Sequence, residues 1–359
     1  MFVAWRDLKF AKGRFALMGT VIVLITLLVG LLSGLTAGLG QQNVSAITGL
    51  PADKIAFTAP GGQGLSYSNS TVTARQWRQW AQFPGVSSAE PLGITTTKAT
   101  AGTKSASVSA FGVRPGSPLA PDGGKVDDRS AVLSTTAADD LGLTPGDTVT
   151  LAGQKLTVSA VRGDASFSHT PVIWVSLGTW QKTAPRDGDG PTSTVIALNT
   201  TTGTDIHAAD EAAGTTTVSK DDSLSAIGSY ASENGSLQLM RGFLFAISAL
   251  VVGAFFTVWT IQRSGDVAVL KALGASTAVL LRDALGQAVV LLTGGTLIGT
   301  GVAAALGALV AGSAVPFLLT PATVLVPAAV MILLGALGAA LSIRRITSVD
   351  PLTALGSVR

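Results

Sequence analysis

The side chains that usually carry chemistry are scarce in this chain and poorly spaced for it. There is no cysteine, which removes thiolate metal sites, cysteine nucleophiles and disulfide frameworks together. The two histidines, His169 and His207, lie far apart and share no set of ligands at metal spacing, so they read as ordinary surface or core histidines rather than a zinc pair. No Gly-x-Ser-x-Gly elbow and no His-Glu-x-x-His helix occurs. A phosphate-cradling Gly-x-x-x-x-Gly-Lys-Ser/Thr loop is missing as well, because Gly123-Gly124-Lys125 is followed by Val126. The chain is therefore not expected to be an enzyme by itself: no catalytic residue, intrinsic metal or intrinsic cofactor is assigned. Trp77, Trp80 and Phe83, flanked by Arg75 and Arg78, could stack on a flat ligand, but their helical spacing is explained equally by a face packed on a sheet.

The elements that position these residues belong to a membrane protein. Of 359 residues 47% are hydrophobic and 13% charged, against about a quarter charged in a soluble protein. No Asp, Glu, Lys or Arg lies between Phe15 and Leu39, between Gly242 and Gln262, or from Ala284 to Ile343. A helix needs about 20 apolar residues to cross a bilayer core, so four spans are expected, at 15–39, 241–262, 284–311 and 322–343. A short outer turn at 312–321 separates the last two, in a stretch interrupted by Pro316, Pro321 and Pro327. The first span reads as an uncleaved anchor, since its apolar run is about twice the length of a signal-peptide core. Lys and Arg near span ends stay cytoplasmic. The N-terminal segment 1–14, the segment 263–283 and the tail 344–359 together carry net +6, whereas residues 40–240 carry net −4. Both termini are thus expected inside the plasma membrane, with residues 40–240 extracellular.

Within that outer region, 40–225 reads as a mixed α+β domain. Ala131 to Ser134 suggests a strand, Thr135 to Leu141 a helix stopped by Gly142, and Thr148–Leu151 with Lys155–Val161 a hairpin around Ala152-Gly153. Thr73 to Phe83 reads as a helix ended by Pro84-Gly85. Residues 226–240 are expected to form a stalk into the second span, broken or bent near Asn234-Gly235. Gly30, Gly34 and Gly38 share one face of the first span, and Gly295 and Gly299 repeat the spacing in the third. Helix packing is the default reading, with a ligand groove left open for the first span. The spans carry no charge at mid-depth, which argues against an ion-coupled carrier.

After the second span, Gln262-Arg-Ser-Gly-Asp-Val-Ala-Val-Leu-Lys-Ala-Leu-Gly-Ala-Ser276 suggests a short amphipathic helix at the inner surface, whose generic role is interfacial anchoring. This segment resembles the signature of the FtsX/MacB-like permeases, usually written with Arg, Glu-Ile and Leu-(Lys/Arg)-Ala-Leu-Gly-Ala. Asp266 stands where the family usually has Glu. The other landmarks agree in order: the basic WRDLKFAKGR start, one span, a large outer domain, three spans, and a tail running from Arg344-Arg345 to Asp350-Pro-Leu-Thr-Ala-Leu355. The resemblance implies four transmembrane helices with an extracellular domain inserted between helices 1 and 2. It also implies a homodimer in membrane lipid, paired with two copies of a separate ABC ATPase subunit that holds ATP and Mg. Asp266, Val267, Leu270, Lys271, Ala272, Leu273 and Gly274 would form the coupling helix that transmits ATP-driven motion, called mechanotransmission. Nucleic acid is not expected as a partner, given the negative outer domain.

The compact outer region is most similar to that of the haem-exporting permeases of Gram-positive bacteria. Haem taken from the outer leaflet would need an apolar slot, an iron ligand and a cation for its propionates. Gly34 and Gly38 are candidates for the slot, Met240, Glu233 or Tyr230 for iron, and Arg241 for propionate. Blander roles exist for Met240 as a span-end packing residue and for Arg241 as a snorkelling anchor. Other cargoes in the family (lipoproteins, peptides or macrolides) and a non-transporting regulator of a cell-wall hydrolase remain alternatives.

Overall fold

The computed structural model describes residues 12–58, 64–121, 126–183, 192–262, 265, 269, 274, 276–310 and 315–347. The chain divides into two units, one of residues 1–38 with 236–359 and one of residues 39–235.

In the first unit four helices are long and apolar enough to cross a membrane. They belong to α1 (Lys12–Thr48), α6 (Gly228–Gln262), α7 (Thr277–Val310) and α8 (Pro321–Thr347). The helix that carries the first expected span continues past residue 39 to Thr48, and one expectation is corrected. The stalk does not break at Asn234-Gly235, because α6 is one uninterrupted helix from Gly228. A mid-helix glycine costs only about 1 kcal/mol relative to alanine, which a long helix with packed neighbours absorbs. Pro321 opens α8, where a missing N–H costs nothing, and Pro327 is carried inside it.

The spans are held by close backbone approach and an aromatic cluster. Phe15, Met18 and Ile22 of α1, Val252, Phe256 and Trp259 of α6, Ala288 and Leu292 of α7 and Ala339 of α8 form one buried group. A Cβ at Gly295 would sit 2.7 Å from Ile22, one at Gly299 2.6 Å from the Val23 carbonyl, and one at Gly30 2.8 Å from Ala303. These glycines are where α1 and α7 meet, as small-residue spacing in spans leads one to expect.

The second unit is built on a ten-stranded sheet. Its strands are β1 (Lys54–Phe57), β3 (Val86–Ala101), β4 (Lys104–Val113), β5 (Ser130–Leu133), β6 (Thr148–Leu151), β7 (Gln154–Val161), β8 (Ser166–Phe167), β9 (Thr170–Ser176), β11 (Val195–Thr200) and β12 (Thr216–Ser219). Two further strands, β2 (Val72–Thr73) and β10 (Thr192–Ser193), pair separately. The order is β12-β1-β11-β3-β4-β9-β5-β7-β6, with β8 on β9, and β6 also pairs back onto β3 through Ala99↔Leu151. The sixteen-residue β3 therefore serves two surfaces: its first half pairs with β11, and its second half helps to close a ring of six strands.

The helices of this unit are α2 (Ala74–Gln82), α3 (Thr135–Leu141), α4 (Leu177–Thr183) and α5 (Ile206–Ala213). α2 starts with a capping box of Thr73 and Gln76, which satisfies two otherwise orphaned N–H groups. α3 ends at Gly142 with φ +65°, a left-handed position that glycine takes without strain. Trp80 and, in part, Trp77 and Phe83 pack against Ile196 and Leu198. The packed-face reading of α2 is thus the one realised by Trp80, which is 1% exposed.

The core most relevant to function gathers Ala46 and Ile47 from the end of α1 and Leu50 just after it, Phe57, Tyr67, Phe111 and Phe167 from the sheet side, and Ala226 and Ile227 at the end of the 3-10 turn Asp222–Ala226. Its rings stack edge to face, with Phe57–Tyr67 and Tyr67–Phe167 centroids 4.9 and 5.5 Å apart. Burial pushes the Tyr67 hydroxyl above its usual value, while its bond to Ser223 works the other way.

Candidate functional site

The residues that enter the outer unit from α1 and leave it through α6 meet around one tight turn. β8 and β9 are joined by Ser168 and His169 alone, with φ +50° and +63°. Two left-handed residues in succession give the hairpin geometry usually occupied by Asn-Gly, so non-glycine residues there need external support. Four hydrogen bonds to α1 supply it. The Ser168 and His169 N–H groups donate to the Asn43 and Gln42 carbonyls at 3.0 and 3.1 Å. The Ser166 N–H donates to Ser45 Oγ at 2.8 Å, and that hydroxyl donates to the Ser166 carbonyl at 3.3 Å.

The turn places His169 against α6. Its Nε2 lies 3.0 and 2.9 Å from the two oxygens of Glu233. A ring nitrogen facing a carboxylate must carry its proton, so Nε2 donates to Glu233. Asn43, which is 1% exposed, donates from Nδ2 to Glu233 Oε2 at 3.1 Å and only abuts the imidazole at 3.0 Å. Ser229 Oγ donates to Asn43 Oδ1 and lies 2.8 Å from Ser168 Oγ. The serines thus bond to the amide and to each other. Among the described residues no nucleophile is paired with the histidine, and the cluster holds a carboxylate in place.

The structure sorts the haem candidates. Glu233 keeps 41% of its side chain exposed, so its carboxylate is reachable. The ring of Tyr230 packs against the core described above. Met240 is 49% exposed on α6. Arg241 has a buried Nε without a hydrogen-bond partner among the described residues, and its guanidinium lies 6.0 Å from the Phe245 ring centre. Gly34 and Gly38 do not form a slot, which corrects that expectation. A methyl on Gly34 would overlap the Phe317 ring, and one on Gly38 the Pro316 carbonyl. Leu318 N–H also donates to the Gly34 carbonyl at 3.0 Å. The residual void beside Gly30, Gly34 and Phe317 is about 10 Å³, room for about one water.

Of the coupling residues, Asp266, Val267, Leu270, Lys271, Ala272 and Leu273 lie outside the described residues. Gly274 lies in a turn with φ +93°, a backbone conformation that glycine takes without strain.

His169 and Asn43 were not legible as site residues. A lone Ser-His pair between strands carries no turn signature, and Asn43 lies past the expected span end at residue 39, in a polar run, Gln41-Gln42-Asn43, that reads as the start of the outer region.

Residues 15–216 match the MacB-like periplasmic core domain, and residues 239–351 match the FtsX-like permease C-terminal domain. A Staphylococcus haemolyticus protein, provisionally named hemin transport system permease protein HrtB, is 26% identical over 362 residues covering 100% of both chains. An uncharacterized ABC transporter permease of Mycobacterium tuberculosis is 28% identical over 376 residues, 99% of each chain. Among solved structures, the periplasmic region of MacB from Actinobacillus actinomycetemcomitans is 16% identical and aligns with 50% of this chain and 94% of its own, at a TM-score of 0.35.

Proposed function

The chain belongs to the MacB/FtsX-like ABC transporter permeases, and from that premise we propose that it is the membrane subunit of an ATP-driven haem exporter. The observation that carries the cargo is the end-to-end likeness to permeases named for hemin transport. Two features of the residues support it. Glu233 offers a partly exposed carboxylate, a hard oxygen ligand suited to ferric iron. Arg241, half-buried near the start of the second span, supplies a guanidinium of the type that pairs with a propionate.

In this reading two copies of the permease work with two copies of a separate ABC ATPase, which supplies ATP and Mg. Asp266 and Lys271 present the coupling helix to that subunit, both termini are cytoplasmic, and residues 40–240 are outside. α1 runs to Thr48 and α6 starts at Gly228, so in this reading the chain enters and leaves the outer domain through helices that continue the spans.

The test is haem retention by the full chain in lipid nanodiscs, read by Soret absorbance. Retention that falls in Glu233→Ala and Arg241→Ala supports the assignment, and no retention in the wild type removes haem as cargo. Coupling is tested separately: Asp266→Lys should abolish co-purification with the ATPase subunit, and unchanged association would defeat the role of that segment.

A further inference from the structure

The outer unit contains a cavity of about 230 Å³ that haem export does not use, walled by Val72, Trp77, Arg78, Pro91, Arg114 and Leu177 among others. We propose that it receives a single apolar side chain, preferably aromatic, from an acidic polypeptide segment that docks on this domain.

The shelf of the cavity is preformed. Trp77 is fixed by its Nε1 donating to the Ala89 carbonyl at 2.9 Å. The Arg114 guanidinium lies 4.9 Å from the indole centre and is itself held by both oxygens of Glu90, with Nε donating at 3.2 Å. The indole face therefore needs no ligand to order it.

Size selects the guest. Pockets for drug-sized ligands and cofactors span about 300–1,000 Å³, so this cavity is too small for haem and adequate for one ring.

The polar groups of the wall are spent internally. The Gln181 amide donates to the Thr192 carbonyl at 2.8 Å, Thr73 bonds Gln76, and Ser193 Oγ donates to the Val195 carbonyl at 3.3 Å. The Arg114 charge is matched by Glu90. Arg78 is different: it is exposed, its Nε donates to its own helix at the Ala74 carbonyl, and no carboxylate pairs with it among the described residues. Arg75, also exposed, precedes it by one helical turn. One exposed cation without a carboxylate partner among the described residues, Arg78, thus lies in the wall of a largely apolar hole, with Arg75 on the same helix outside it, on a region whose net charge is −4. Apolar depth with a cation in the wall fits a ring flanked by carboxylates. One ring in a cavity of about 230 Å³ anchors weakly, so the flanking acids of a polypeptide are needed to hold it, and a free aryl carboxylate has only one.

The test uses the full chain in phosphatidylcholine nanodiscs and saturation-transfer NMR with three probes: N-acetyl-Phe-Asp-Asp amide, N-acetyl-Phe-Lys-Lys amide and phenylpropionate. The acidic peptide should bind about tenfold more tightly than the basic one. Arg78→Glu, at an exposed position, should remove that preference without changing the melting temperature, and Trp77→Leu should abolish transfer to the ring. Equal binding of the two peptides, phenylpropionate binding as tightly as the acidic peptide, or an unaffected Arg78→Glu protein would overturn the proposal. Soret titration of the same variants is independent of this outcome, so haem binding and peptide docking fail separately.

Discussion

Adding one methyl group to the first span distinguishes a packed turn from a ligand slot. At Gly34 the new Cβ would overlap the ring of Phe317, a side chain that can be shortened; at Gly38 it would overlap the carbonyl and peptide nitrogen around Pro316–Phe317, which no rotamer can relieve. Overpacking of this kind costs about 1–3 kcal/mol, with Gly38→Ala expected at the upper end because backbone must move. Gly34→Ala also strains the 3.0 Å bond from Leu318 N–H to the Gly34 carbonyl. Shortening Phe317 to Ala in the Gly34→Ala background should return at least about 1 kcal/mol relative to additivity. The same change in the Gly38→Ala background should return much less. The assay is unfolding of the purified full chain in mixed micelles, with the four-protein cycle measured for each glycine. If Gly34→Ala and Gly38→Ala melt like the wild type yet lose haem retention, the glycine face is a ligand slot after all and the packing argument is wrong. Equal rescue of both glycines would also refute it.

Three further outcomes are expected. Lys220 Nζ donates to the Thr48 and Leu50 carbonyls at 3.0 and 2.9 Å, a cation at the C-terminus of α1, so Lys220→Met should cost about 1–2 kcal/mol after allowance for its partial exposure, read as faster amide exchange over residues 44–50. A double-mutant cycle of His169→Ala with Glu233→Gln should give a coupling of about 0.5–1.5 kcal/mol, since both side chains are about a third exposed; zero coupling would show that the pair does not form. The Thr144 N–H and hydroxyl hold the Asp147 carboxyl below its ordinary value. Its folded value is the lower one, so its contribution is present above the unfolded carboxylate range near about pH 4 and is lost as pH falls through the folded value. Asp147→Asn should therefore show a smaller drop in melting temperature between neutral and strongly acidic pH than the wild type.

The four spans, the mixed outer domain and its 131–161 segment could be read in advance because each is written in local pattern. Apolar length marks a span, and an alternating run ended by a left-handed turn marks a hairpin, as at Ala152-Gly153 with φ +46° and +84°. The spacing of Gly295 and Gly299 likewise announced a helix contact, since one helix face is a local property. The partner of that face is not. Gly34 and Gly38 carry the same spacing, and only the folded chain shows Pro316 and Phe317 covering them.

The candidate site lies at the far end of that scale. His169 is 126 residues from Asn43 and 64 from Glu233, and their meeting depends on a two-residue turn, on the length of β9 and on how far α1 continues beyond its apolar run. By itself the amino-acid order determined which stretches avoid water, which side they leave charged and which family they resemble, because hydropathy and periodicity act over a few turns of chain. The tertiary fold decided which polar groups meet and which glycine faces are filled. Those outcomes arise from packing and register between segments that no local window contains.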